Sequence, residues 1–125
     1  MKEVTPMSKD EIHFVVDYFC DADPDYLRGM GADKSLLPAK NDWTNFLESQ
    51  ILLDNRDKQF FYLIWWLNGK PIGHTNINKI RYGKEANMHL HIWYPEYRKS
   101  GIAIEFFQIA LPIYFEEFKL ERLIC

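Results

Sequence analysis

Cysteine is scarce. Cys20 and Cys125 are the only two in 125 residues, they lie far apart, and they form no C-x-x-C pair. Neither a disulfide framework nor a zinc knuckle is therefore suggested, and a reduced, cytoplasmic setting is expected. Charge of one sign is also lacking: the formal net charge is −3, with Lys and Arg scattered among Asp and Glu. That leaves no broad basic footprint for nucleic acid, so any anion must bind locally. No run of about twenty uncharged apolar residues occurs, which excludes a membrane-spanning helix. The opening MKEVTPMSKDEIHF has no apolar stretch of signal-peptide length, so a soluble protein that is not exported is expected. Internal repeats and low-complexity segments are absent too. What is present is a 47% hydrophobic, 16% aromatic chain of a length that suits one folded domain over residues 1–125.

In TPMSKDEIHFVVDYFCD, Ser8 and Glu11 have the spacing of a capping box, and Ile12, Val15, Val16 and Phe19 follow at helical spacing. A first helix is expected over residues 9–19. The next stretch, DADPDYLRGMGADKSLLPAKND, reads as a loop because of Pro24, Gly29, Gly31 and Pro38. A second helix is expected from near Asp42 to near Asn55, carrying Trp43, Phe46, Leu47, Gln50 and Ile51.

The pattern then changes to extended runs rich in aromatic and β-branched residues: QFFYLIWWL, PIGHTNINKIRY and NMHLHIWY. They read as a three-stranded meander. Asn68-Gly69 joins the first two strands, since a type I′ turn needs φ > 0 at both central positions, and YGKE closes the second hairpin. Phe60 to Trp66 read as a strand buried on both faces, as core rather than as a ligand box. Residues two apart share a face. His74, Asn76 and Asn78 thus share one face, and His89 and His91 share one on the next strand. Placing these polar faces together pairs Asn78 with His89 and Asn76 with His91, with Ile77 beside Leu90, and gives a half-apolar, half-polar sheet.

Behind Gly101, IAIEFFQIALPIYFEEFKL is apolar nearly all round, with Glu105, Gln108, Glu116 and Glu117 as a narrow polar stripe. A largely buried helix is expected, kinked or broken at Pro112. LERLIC then reads as a short strand that completes a strand-helix-strand unit and pairs in parallel. The fold class is α/β (α+β): two helices, an antiparallel meander, and a strand-helix-strand unit in a mixed sheet.

The chain has only six glycines, so one placed just behind Arg98 and Lys99 at the head of an apolar helix asks for a reason. The first N–H groups of a helix lack intrahelical partners and carry the positive end of its dipole. Without a Cβ, Gly101 lets a ligand approach the backbone, and Ser100, Gly101, Ile102 and Ala103 can offer N–H donors to a phosphate, with charge from Arg98 and Lys99. Against this stands a surface ion pair of Arg98 with Glu96 or Glu105. Other phosphate motifs are excluded. There is no G-x-x-x-x-G-K-[ST], and Gly29-Met30-Gly31 lacks the third glycine and preceding strand of a dinucleotide fingerprint.

The segment HLHIWYPEYRKSGIAIEFF resembles the central segment of the GNAT superfamily, the acetyl-CoA-dependent N-acyltransferases. Its signature there is R/Q-x-x-G-x-G/A, and Arg98, Gly101 and Ala103 occupy the three positions, with Ala103 in place of the commoner glycine. The resemblance covers the whole chain in order of elements. It implies that acetyl-CoA is the cosubstrate, and that the amides around Arg98, Lys99, Ser100, Gly101, Ile102 and Ala103 hold its pyrophosphate. It also implies that the strand matching HLHIWY splays from its parallel neighbour, so that Ile92, Trp93 and Tyr94 pair with pantetheine and aim an amide at the thioester oxygen. The family fold usually continues past LERLIC into a helix and two strands that complete the acyl and acceptor pockets. Those elements commonly supply the tyrosine that protonates the departing thiolate. The fold is therefore expected to be incomplete at its C-terminus, and no general acid is assigned.

The reaction implied is direct attack of a primary amine, from a small molecule or a protein, on the acetyl thioester, which needs an unprotonated amine, a base and oxyanion donors. His89 and His91 are the candidate bases, because imidazole titrates near neutrality. The alternative is that they only hydrogen-bond Asn76 and Asn78. Three imidazoles, His74 included, can also face a zinc ion, but with no carboxylate or cysteine nearby in sequence no metal site is expected. Asp21, Asp23, Asp25 and Asp33 either attract a cationic amine or simply cap helices. A competing function is a non-catalytic acyl-CoA-binding or strand-exchanging module, since LERLIC reads as an unprotected apolar edge through which a homodimer is expected.

Overall fold

The structure, a computed structural model, describes all residues from Met1 to Cys125. In chain order the elements are β1 (Lys2–Pro6), α1 (Ile12–Cys20), α2 (Pro24–Gly29), α3 (Lys40–Leu52), β2 (Phe61–Leu67), β3 (Lys70–Arg81), β4 (Glu85–Ile92), α4 (Ile102–Phe118) and β5 (Arg122–Ile124). Single 3₁₀ turns lie at Lys9–Glu11, Lys34–Leu36 and Pro95–Tyr97. The chain divides into a helical unit, Ser8–Leu52, and a sheet unit, Met1–Met7 with Leu53–Cys125.

In the helical unit the Glu11 carboxylate accepts the Ser8 N–H at 2.8 Å, so the expected cap is in place. The segment read as a loop contains α2. Asp23 caps it by accepting the Asp25 N–H at 2.8 Å, and Pro24 fills the first helical position, where a missing N–H costs nothing. Asp33 caps the next turn through the Ser35 N–H at 2.9 Å and its hydroxyl at 2.7 Å. Lys40, at the start of α3, reaches Asp17 at 3.2 Å and Asp21 at 2.8 Å, while Asp25 pairs with Arg28. All four loop aspartates are thus engaged in capping or ion pairs.

The sheet unit has strand order β1-β2-β3-β4-β5, antiparallel except for the parallel β4–β5 pair. The meander and the parallel last strand are as expected. Asn68 and Gly69 have φ of 51° and 83°, as a type I′ turn requires. The edge strand β1 was not expected. Of its five residues only Val4 is strongly apolar, and its partners, Val4 opposite Trp65 and Thr5 opposite Ile64, are remote in sequence. Pro6 is tolerated there because an edge strand has a side without a ladder.

The expected β3–β4 register is corrected by two residues: His74 lies opposite His91, Asn76 opposite His89, Asn78 opposite Asn87, and Ile77 opposite Met88. The ladder is irregular between Asn78 and Arg81, where Lys79 adopts φ 48°. The extra residue there supplies one position of the shift, and the other is already present at the turn, where Arg81 lies opposite Glu85. Facial alternation survives, because the slip is even.

The expectation of a helix buried nearly all round is also corrected. α4 buries one stripe, Ile102, Phe106, Ala110, Tyr114 and Phe118, while Ile104 and Ile109 are exposed. The helix runs unbroken through Pro112. Pro112 and Gln108 are both exposed, so water can take the Gln108 carbonyl that a proline nitrogen cannot serve. The buried stripe packs in two clusters: Ala110, Tyr114 and Phe118 with Leu63, Ile77 and Met88, and Ile102 and Phe106 with Trp65, Ile72 and Ile92. Trp65 stacks on Phe106 at 4.7 Å between ring centroids. Inside this core the Thr75 hydroxyl oxygen accepts from the Tyr114 hydroxyl at 2.7 Å and from the Trp65 indole at 3.3 Å. The Ile102–Ile92 cluster fixes the head of α4 beside the end of β4.

Candidate functional site

Between β4 and α4 the chain makes a compact turn. The Trp93 N–H donates to the Ile72 carbonyl at 2.8 Å, which continues the β3–β4 pairing past Ile92. The 3₁₀ turn of Pro95–Tyr97 follows; the Arg98 N–H bonds the Pro95 carbonyl at 3.1 Å and the Ser100 hydroxyl bonds the Tyr97 carbonyl at 2.9 Å. Gly101 caps α4 in the left-handed region, with φ 76° and ψ 1°. A Cβ added there would meet no heavy atom within 4 Å. The Ile104 N–H bonds the Gly101 carbonyl at 3.3 Å, while the N–H groups of Gly101, Ile102 and Ala103 have no acceptor in the chain. Backbone donors without acceptors, open space at Gly101 and a 17-residue helix behind them form a geometry that can take an anion.

Lys99 and Ser100 are exposed at its rim. Arg98 reaches back toward the strand. Its Nε donates to the Ile92 carbonyl at 2.9 Å and its Nη2 to the Trp93 carbonyl at 3.4 Å, which ties the turn to the strand it leaves. Glu105 faces Lys2 at 3.2 Å. The Lys70 ammonium stands over the Tyr94 ring at 4.3 Å and 5.7 Å from the Tyr97 ring centroid, adding a cation on the other side of the turn. β5 flanks β4 only from Glu85 to Asn87, so the outer edge of β4 from Met88 to Ile92 has no strand beside it.

One face of the sheet next to this edge is polar. His89 is exposed, with its Nε2 3.3 Å from the Asn78 Oδ1. His91, mostly buried, stacks on His74 with centroids 5.1 Å apart. Burial first, then His89 and the Arg98 guanidinium, push the His91 pKa down from 6.5 to about 4. His74 is fully buried, and burial followed by His91 holds it well below the ordinary imidazole value. Both rings are therefore neutral at pH 7. The His74 Nδ1 accepts the Trp93 indole N–H at 2.9 Å. Reasoning from the sequence placed His74 on this face but missed the contact, which arises because the corrected register brings Trp93 diagonal to His74.

A mixed sheet that feeds through a glycine-capped cradle into a packed helix is the layout of an acyl-coenzyme-dependent transferase. Residues 4–125 match the family model described as the acetyltransferase (GNAT) domain, and the chain belongs to that family. Acetyl-CoA is the cosubstrate of GNAT enzymes. No curated protein matches the sequence. Among solved structures, spermidine N-acetyltransferase from Vibrio cholerae in complex with CoA and spermine superposes with a TM-score of 0.76 at 14% identity, covering 98% of this chain and 68% of that one. The aminoglycoside acetyltransferase AAC(6′)-Ib in complex with coenzyme A gives 0.70 at 11%, covering 98% and 72%. A predicted acetyltransferase with acetyl-CoA from Clostridium acetobutylicum gives 0.67 at 14%, covering 98% and 79%. At these identities the likeness is one of fold.

Proposed function

We propose that this chain moves the acetyl group of acetyl-CoA to a primary amine of a small molecule or a protein by direct attack. The observation that carries the reading is Gly101: its left-handed backbone and the open space where a Cβ would stand leave the N–H groups of Gly101, Ile102 and Ala103 available to a pyrophosphate. Ser100 completes the cradle and Lys99 adds charge at its rim. Arg98 acts from behind by holding the turn to the carbonyls of Ile92 and Trp93. The outer edge of β4, which no strand covers up to Ile92, offers backbone groups to the pantetheine amides, with Tyr94 beyond it; Trp93 lends the segment its shape instead, since its own N–H and carbonyl are bonded to Ile72 and Arg98.

The thioester supplies an electrophilic carbonyl carbon. The amine nitrogen bonds to that carbon, the carbon–sulfur bond breaks, the sulfur leaves as thiolate, and the nitrogen gives up a proton. His91, neutral at pH 7 and weakly basic, accepts a hydrogen bond better than it keeps a proton. His89, exposed on the same face, takes the proton out to solvent. The test is thiol release from acetyl-CoA with polyamines, amino sugars and lysine peptides, comparing the wild type with His89→Ala. Amine-dependent release, slowed in the variant, is expected. Saturable acetyl-CoA binding with no release by any amine would make the chain a non-catalytic acyl-CoA-binding module.

A further inference from the structure

Trp93 links two things that the sequence keeps apart. Its backbone belongs to the end of β4: its N–H bonds the Ile72 carbonyl at 2.8 Å and its own carbonyl receives Arg98 Nη2 at 3.4 Å. Its indole turns onto the polar face and donates to His74 Nδ1 at 2.9 Å. An indole N–H can only donate, so His74 must accept at Nδ1, which places the single proton of its neutral ring on Nε2. His74 is itself fixed: it is fully buried, with Tyr62 at 5.6 Å and His91 at 5.1 Å between ring centroids. Beside it β3 and β4 run unusually close, for a Cβ on Gly73 would lie 2.5 Å from the His91 carbonyl oxygen. A rigid acceptor therefore stands where the strand leaves the sheet.

We propose that His74 is a positioning residue for the coenzyme site: by accepting the Trp93 indole it sets the end of β4, and through the bonds of Arg98 to Ile92 and Trp93 it sets the cradle. The inference deepens the acetyl-transfer reading and rests on it for the coenzyme. The mechanical link from His74 to the turn stands on this chain's own contacts. A buried hydrogen bond between rigid rings restrains direction as well as distance, and a site that places amides for an anion is sensitive to shifts of an ångström or less. His74 acts on the turn through Trp93, whose indole it accepts.

The test uses His74→Phe, which keeps an aromatic ring but has no acceptor, and His74→Gln, which keeps an acceptor. Amide NMR signals are followed first. In His74→Phe the Trp93 indole proton should lose its hydrogen-bonded shift and its protection from exchange. The amides of Ile92 to Tyr94 and of Arg98 to Ala103 should move as well, and His74→Gln should restore most of this. Acetyl-CoA affinity should fall about tenfold in His74→Phe, the scale of one lost hydrogen bond. Trp93→Phe supplies the same loss from the other partner, and the double variant should be no worse than either single one. Shifts confined to β3 and its neighbours, with the cradle amides unmoved, would overturn the proposal. If the wild type binds no acetyl-CoA, the acetyl-transfer reading fails while the NMR comparison still decides the link.

Discussion

Mild acid should weaken this fold through its buried imidazoles. His91 has a pKa of about 4 in the folded chain, against 6.5 for an ordinary imidazole, because burial, His89 and Arg98 all disfavour its charged form. Between those two values the unfolded chain binds a proton that the folded chain refuses. Stability is therefore whole above pH 6.5, declines as the pH drops, and stops changing on this account below about 4. Worked through linkage for this ring, the loss between pH 7 and pH 5 is about 2 kcal/mol, a large share of the roughly 5–15 kcal/mol that holds a domain of this size. His74, stacked on His91 and shifted the same way, adds to the loss. The Arg122 guanidinium beside Glu85 and the hydrogen bonds from Ser35 to Asp33 hold those two carboxyls below their ordinary values, so their contribution is lost only at lower pH than an unpaired carboxylate's. Urea unfolding followed by tryptophan fluorescence at pH 7, 6 and 5 measures the decline. His91→Gln removes the titrating ring and should take about 2 kcal/mol out of the pH 7 to 5 difference. Equal wild-type stability at pH 7 and pH 5, or an undiminished decline in His91→Gln, would refute the reasoning.

Two further perturbations test the packing that positions the site. Gly73→Ala puts a methyl group 2.5 Å from the His91 carbonyl oxygen and 3.1 Å from the Ile92 Cα; backbone cannot swing aside, so a loss of about 2 kcal/mol in urea unfolding is expected, whereas an unchanged midpoint would contradict the β3–β4 register. Thr75→Val removes the oxygen that accepts from both Tyr114 and Trp65. It should cost about 1–3 kcal/mol, part of it recovered in the Thr75→Val, Tyr114→Phe double variant, which no longer buries an unmatched hydroxyl; equal losses in both would show that this network carries no such energy.

Much of this was legible because the local signals are strong. Asn68-Gly69 admits few conformations besides a type I′ turn, the capping box of Ser8 and Glu11 marks a helix start, and the alternation of His74, Asn76 and Asn78 survives any even slip in pairing. Elements whose identity depends on remote partners were not legible. β1 is a strand because Val4 finds Trp65, and nothing within KEVTP says so. α2 lay hidden in a Gly- and Pro-rich stretch whose helix signal was the Asp23-Pro24 start. Half of the register shift comes from the irregularity around Lys79, a residue that rarely adopts positive φ and does so here without a glycine to announce it. For the site, R-K-S-G-I-A marked the glycine-capped start of α4. Arg98 turned inward to two carbonyls, and the bond from Trp93 to His74 joins residues that only the folded register brings together.

The central claim is that the turn at Gly101 holds acetyl-CoA, and calorimetric titration of acetyl-CoA into the wild type and into Gly101→Asp tests it most directly. Aspartate tolerates the left-handed backbone better than most residues, and its carboxylate would stand in the open space of the cradle. Saturable binding by the wild type, lost in a Gly101→Asp protein that still unfolds cooperatively, is the predicted result. A well-folded wild type that does not bind, or a variant that binds as well as the wild type, would contradict it.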